Sequence, residues 1–201
     1  MASRRAASDV PLLEVTDRTR LRGWLLRNHA SSKGVWAVRV KQSAGGALGW
    51  NDLVEEALCF GWVDSLPRTI DERKTALLLT PRKPKSKWSA KNKAHVADLE
   101  ARGLMHASGA AVVALAKKNG TWSALDAVSR LEVPADLAEG LHARSPARTN
   151  WDAFPPSTRR GILEWIEAAK RPETRAKRVE ETATLAQKNV RALQWPPPKR
   201  A

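Results

Sequence analysis

The sequence predicts an α+β protein, with a small antiparallel sheet and helices in the N-terminal half and a helical C-terminal half packed against it. Three observations lead there. Strand-like runs, apolar in alternation or throughout, occur only before Pro84, and after it every apolar pattern has helical spacing. Glycine and proline punctuate the second half at the intervals expected of helix ends. Apolar residues make up 42% of 201 residues, which is enough to bury a core. At about 150 residues per domain, this length gives one full domain, or one domain with an appendage. We divide it into a disordered N-terminal arm over 1–15, an α+β domain over 16–120, a helical region over 121–188 and a basic, proline-rich tail over 189–201.

The first predicted helix runs from Asp17 to His29. Thr16 is its candidate N-cap, and Leu21, Trp24, Leu25 and Asn28 recur at helical spacing. Lys33-Gly34 breaks into a strand from Val35 to Lys41, in which Trp36, Val38 and Val40 share a face. Ser43 to Gly49, with three glycines, reads as a loop. Asn51 is placed to cap a short helix carrying Leu53, Val54, Ala57 and Leu58, with Gly61 as its stop. Trp62 to Ser65 and Thr75 to Thr80 form a hairpin turning at Asp71 to Lys74, and Pro67 marks its first strand as irregular or at an edge. Leu58, Phe60 and Trp62 join helix to strand and belong to the core.

Helices follow from Ser89 to Arg102, Ser108 to Asn119, Asp136 to Ala143, Ser157 to Lys170 and Pro172 to about Lys188. Ile162, Trp165 and Ile166 form an apolar face that calls for a partner, and the stretch from Ser123 to Pro134 lacks the composition of a flexible linker. This is the reason for docking the second half on the first. Trp195-Pro-Pro-Pro198 cannot extend the last helix. The nine tryptophans, with no tyrosine, are mostly core anchors, because indole buries so much area.

A balance of 35 basic against 21 acidic residues gives a net charge of +14, which attracts polyanions. The charge is uneven: Pro81-Arg-Lys-Pro-Lys-Ser-Lys-Trp-Ser-Ala-Lys-Asn-Lys93 holds six basic residues and no acid. Lys170, Arg171, Arg175, Lys177 and Arg178 form a second cluster. The single cysteine, Cys59, excludes an internal disulfide and any zinc site built from several thiolates, and between Leu58 and Phe60 it reads as an apolar filler. No run of 18 apolar residues is present to span a membrane, and Met1 to Val10 lack the apolar stretch of a secretory signal, so the expected location is the cytoplasm. Gly45-Gly-Ala-Leu-Gly49 is no phosphate-binding P-loop, since no Lys-Ser or Lys-Thr follows it. His-Glu-x-x-His and Gly-x-Ser-x-Gly are absent as well. Glu55 and Glu56 point about 100° apart on a helix and read as a solvated face rather than an acid/base pair.

The candidate ligand-binding residues are Arg82, Lys83, Lys85, Ser86, Lys87, Trp88, Ser89 and Asn92. Prolines 81 and 84 hold the path extended, Ser89 opens a helix whose free N–H groups favour anions, and Trp88 offers a face for stacking beside the cations. The competing reading packs Trp88 inward and leaves the lysines merely solvated. Asp64 and Ser65 are candidate polar partners, with Asp64 set to pair with Arg82 across the hairpin. No catalytic residue, metal ligand or cofactor is assigned. The leading expectation is a binding protein for nucleic acid or another polyanion. The alternative is an enzyme that holds a small phosphate or carboxylate substrate in a cleft near Asp64 and Arg82.

Five segments carry a family resemblance. Ala57-Leu-Cys-Phe-Gly-Trp-Val-Asp-Ser65, the run from Pro81 to Asn92, and Gly103-Leu-Met-His-Ala-Ser-Gly109 resemble the YdeI/OmpD-associated bacteriocin-protection family. Phe154-Pro-Pro-Ser-Thr-Arg-Arg160 and Ala168-Ala-Lys-Arg-Pro-Glu-Thr-Arg-Ala-Lys-Arg178 resemble its helical tail. The likeness runs from Leu21 to Gln187 and departs at Ala107, where the family commonly has proline. It implies a small bacterial α+β protein, distantly related to the YjbR/CyaY-like group and without established catalytic residues. By name it implies protection against bacteriocins or cationic peptides and association with an outer-membrane porin. The relation to the YjbR-like group adds DNA binding by analogy.

Overall fold

The computed structural model describes residues 10–193, so Trp195 and the rest of the proline-rich tail lie outside the described residues. The chain divides between Ala124 and Leu125 into two compact units.

The N-terminal unit is built on a four-stranded sheet: β1 (Leu12–Glu14), β2 (Val35–Val40), β3 (Trp62–Thr69) and β4 (Lys74–Pro81), in the order β1-β2-β4-β3. β2–β4 and β3–β4 are antiparallel, as the hairpin requires. β1 was not expected: it lies within the arm of residues 1–15 and pairs in parallel with β2, Leu12 opposite Trp36 and Glu14 opposite Val38. The arm therefore gives way to ordered chain earlier than the sequence suggests, and the sheet is mixed. Pro67 sits in β3 because β3 is an edge strand, and a bulge interrupts it between Asp64 and Leu66.

Alternate residues of β2 and β4 face opposite ways. Val35, Ala37, Leu77 and Leu79 belong to the main core, while Trp36, Val38, Ala76 and Leu78 form a smaller cluster on the other side. Burial on both faces explains why these strands read as continuous apolar runs. The main core is completed by α1 (Arg18–Asn28), α2 (Trp50–Cys59), α3 (Ala90–Ala101) and α4 (Ala107–Lys118) through Leu21, Leu25, Leu53, Leu58, Val96, Leu99 and Val113. Phe60 and Trp62 are buried with them, and the Trp62 indole N–H donates to the His29 carbonyl at 3.2 Å. The last turn of α2 and the first of α4 lie so close that a Cβ on Gly109 would come within 2.1 Å of the Cys59 carbonyl oxygen, so only glycine fits there.

The helix caps differ in detail from expectation. Asp17 rather than Thr16 caps α1, its carboxylate accepting from the Arg20 N–H at 2.8 Å. α2 begins one residue before Asn51, with the Gly49 N–H donating to the Asp52 carboxylate at 2.6 Å. Ser89 caps α3 as expected, accepting from the Asn92 N–H.

Glu55 and Glu56 are not a solvated face. Glu56 is 3% exposed and accepts from Arg18 Nε at 2.9 Å and Arg22 Nη1 at 3.1 Å. Glu55 accepts from Arg18 Nη1 at 2.8 Å and lies 3.2 Å from His95 Nδ1. A basic stripe at i, i+4 on α1 meets an acidic one on α2, and this pairing allows the carboxylates to be buried.

The C-terminal unit is helical: α5 (Asp126–Ser129), α6 (Ala135–His142), α7 (Ala147–Ala153), α8 (Pro156–Glu167) and α9 (Pro172–Gln187). Prolines at the first turns of α8 and α9 start them where the missing N–H costs nothing. The unit has its own core, in which Ile162, Leu163 and Ile166 of α8 join Leu137, Leu141 and Trp151, so the apolar face of α8 is covered from within.

Candidate functional site

The basic stretch leaves the sheet at the end of β4 and enters α3 at Ser89. Its path is fixed by backbone bonds. The Trp88 N–H donates to the Thr121 carbonyl at 3.3 Å, and the Asn119 side-chain amide donates to the Pro84 carbonyl at 2.9 Å. These two bonds tie the segment to the C-terminal end of α4.

The structure sorts the predicted residues into two groups. Lys83, Lys85, Lys87 and Ser89 are exposed, and Ser86 and Asn92 are half-buried. Trp88, at 1% exposure, is part of the main core and packs on Trp122 with ring centroids 4.9 Å apart. Its expected role as a stacking platform is therefore corrected, because no face of the indole is open to a base. Arg82 is also withdrawn, at 8% exposure. Its guanidinium lies 3.8 Å from the centre of the Trp88 ring, and Nη1 donates to the Lys87 carbonyl at 3.0 Å. Burial pushes its pKa down to about 10, opposed in part by the field of Asp64. The expected Asp64–Arg82 pair is not formed as a hydrogen bond among the described residues; Asp64 acts on the guanidinium only through its field. The Ser65 hydroxyl is engaged with the Thr80 hydroxyl at 2.9 Å.

Sequence reasoning passed over Trp122. It is half-buried at the end of α4, with Lys93 Nζ at 5.7 Å and Lys117 Nζ at 5.1 Å from its ring centre. The signal was present as an aromatic residue four positions after Lys118, but its closeness to residues 82–93 arises only in the fold. The exposed Lys83, Lys85 and Lys87 therefore lie on a segment bonded, through Pro84 and Trp88, to the chain just after Lys117 and Lys118, which are exposed as well. The residues from Arg73 to Ala97, and again from Ala101 to Leu125, include no acid.

The enzymatic alternative needs a cleft lined jointly by Asp64, Arg82 and Asn92. Arg82 lines a cavity of about 70 Å³ with Lys83, Pro84, Trp88, Val112, Leu115 and Ala116, and neither Asp64 nor Asn92 reaches it. Among the described residues no helix is long and apolar enough to cross a membrane.

No curated protein and no solved structure matches the chain. Residues 13–112 match the model of a domain of unknown function (DUF8412), and these include the three N-terminal segments that carry the resemblance. The two C-terminal segments fall within a second match, over residues 130–189. That match, in the C-terminal unit, is to the model of the family described as bacteriocin-protection, YdeI or OmpD-associated.

Proposed function

We propose that this is a non-enzymatic binding protein whose N-terminal unit holds nucleic acid, or a comparable polyanion, through the phosphate backbone. The observation that carries the proposal is the lysine surface: Lys83, Lys85 and Lys87 are exposed on a segment tied down beside Lys117 and Lys118. A pinned row of hydrated ammonium groups suits phosphates, and Trp88 within it is buried and offers no face for base stacking. Binding of this kind is insensitive to base sequence. A nucleic-acid ligand is consistent with work in the cytoplasm. The bacteriocin protection in the family's name fits this chain through an anionic target, since a charge of +14 repels cationic peptides.

The test is fluorescence anisotropy with a labelled duplex at several salt concentrations. Each neutralised phosphate contributes about 0.9 to the slope of log K against log salt, so replacing Lys83, Lys85 and Lys87 by Ala flattens the slope by about 2.7. An unchanged slope, or no binding by the wild type near 50 mM salt, defeats the proposal.

A further inference from the structure

The glycine-rich loop between β2 and α2, struck out above as a P-loop, lines a cavity of about 330 Å³ at the far end of the sheet. Its other walls are the end of β1, β2 from Val38 to Val40, and the start of β4 at Arg73 and Lys74. The volume is within the range of small-molecule sites and exceeds what a bare phosphate or carboxylate fills.

Three features suit this cavity to an anion. First, its charge is unbalanced: Arg39, Arg73 and Lys74 line it against Glu14 alone, and Glu14 is already paired with Lys74 Nζ at 2.6 Å. The nearby Asp71 carboxylate is turned into its own loop, where it accepts the N–H groups of Arg73 and Lys74 at 2.7 and 2.6 Å.

Second, Arg39 is held without being neutralised. Its Nη1 donates to the Val40 and Leu48 carbonyls at 3.2 and 2.9 Å, and its guanidinium stands 5.8 Å from the Trp50 ring centre. Its Nε is buried without a hydrogen-bond partner, and among the described residues it has no carboxylate partner. A half-buried guanidinium with no carboxylate to offset it favours an anion in the cavity it lines.

Third, the loop is folded tightly against the end of β2, which fixes this wall of the cavity. Gly46 donates its N–H to the Lys41 carbonyl at 3.0 Å, and a Cβ there would lie 2.2 Å from the Val40 carbonyl oxygen. Val15, Val38 and Leu48 supply apolar wall beside the charges.

We propose that this cavity binds a small organic anion, with a phosphate or carboxylate head held by Arg39 and Arg73 and an apolar body against Val15, Val38 and Leu48. The site shares no lysine with the polyanion surface and stands or falls independently of it.

Isothermal titration of the full chain with phenyl phosphate, inorganic phosphate and phenol tests the proposal. Phenyl phosphate binds with millimolar or better affinity and more tightly than inorganic phosphate, and phenol does not bind. Arg39→Met weakens phenyl phosphate by about tenfold or more, the equivalent of one charge-assisted hydrogen bond. Arg73→Ala, at the exposed rim where folding is not at stake, weakens it severalfold. The Lys83, Lys85 and Lys87 triple variant leaves it unchanged. No saturable binding of phenyl phosphate, no preference over inorganic phosphate, or indifference to Arg73→Ala overturns the proposal.

Discussion

Replacing Trp88 by Ala separates a core role from a ligand role most sharply. The indole is 1% exposed, within the main core, against Trp122 and beneath the Arg82 guanidinium. A tryptophan buries about 200 Å², which at about 25 cal/mol per Å² is worth about 5 kcal/mol; the remaining Ala methyl keeps a small part of it. The expected loss is about 4 kcal/mol, in line with measured Trp→Ala truncations. For a unit of this size that lowers the thermal midpoint by about 15 °C. The assay is a thermal melt followed by circular dichroism, paired with nucleic-acid binding at a temperature where the variant is still folded. The melt shifts, and the salt slope of binding does not. Arg82→Met sharpens the contrast. The folded-state pKa of Arg82 lies below its ordinary value, so burying the charge is a cost at neutral pH, and stability rises with pH only from about 10 upward, as the folded form gives up its proton first. Met keeps the packing and removes that cost, so the variant stays within about 1 kcal/mol of the parent or above it. A Trp88→Ala protein with an unshifted melt and lost affinity would refute the whole assignment.

Two further outcomes follow from the ion pairs. Glu56→Ala leaves Arg18 and Arg22 without their shared carboxylate; both arginines reach water at about a third exposure, so the cost is about 2–3 kcal/mol, read by urea denaturation, and a loss below about 0.5 kcal/mol contradicts the buried-pair account. The Asp136 carboxyl is held below its ordinary value, chiefly by the Arg175 guanidinium at 2.7 Å. A lowered acid stabilises above its unfolded pKa of about 4 and loses that contribution as pH falls through the folded value. Asp136→Asn therefore flattens the acid limb of the melting profile below about pH 4, by under about 1 kcal/mol because the pair is partly exposed, and an identical profile in wild type and variant contradicts the pairing.

Elements with a sustained period were legible in the sequence, and elements made by tertiary context were not. The helices after Pro84 and the hairpin were found because proline, glycine and apolar spacing agree with one another. β1 escaped because three residues cannot display a period, and only the register of Leu12 against Trp36 makes them a strand. α7 escaped because Thr149, Asn150 and Asp152 form helix poorly on their own; burial of Trp151 in the core of the second unit holds it. Glu55 and Glu56 were misread for a related reason. A charge pattern on one helix says nothing about the complementary stripe on a neighbour 34 or more residues away.

The basic stretch shows what a run of like charges conceals. Its cations look equivalent in sequence, yet the fold takes in Arg82 and leaves Lys83, Lys85 and Lys87 in water. The chemistry of the two side chains accounts for the division. A guanidinium is planar and weakly hydrated, so it can lie on an indole and hand one N–H to a carbonyl, as Arg82 does with Trp88 and Lys87. An ammonium is compact and strongly hydrated and resists removal from water. Residue type, rather than position in the run, therefore divides the segment into an anchor and a surface. The arginine packs against the core, and the lysines left in water are the groups that the proposed phosphate binding requires.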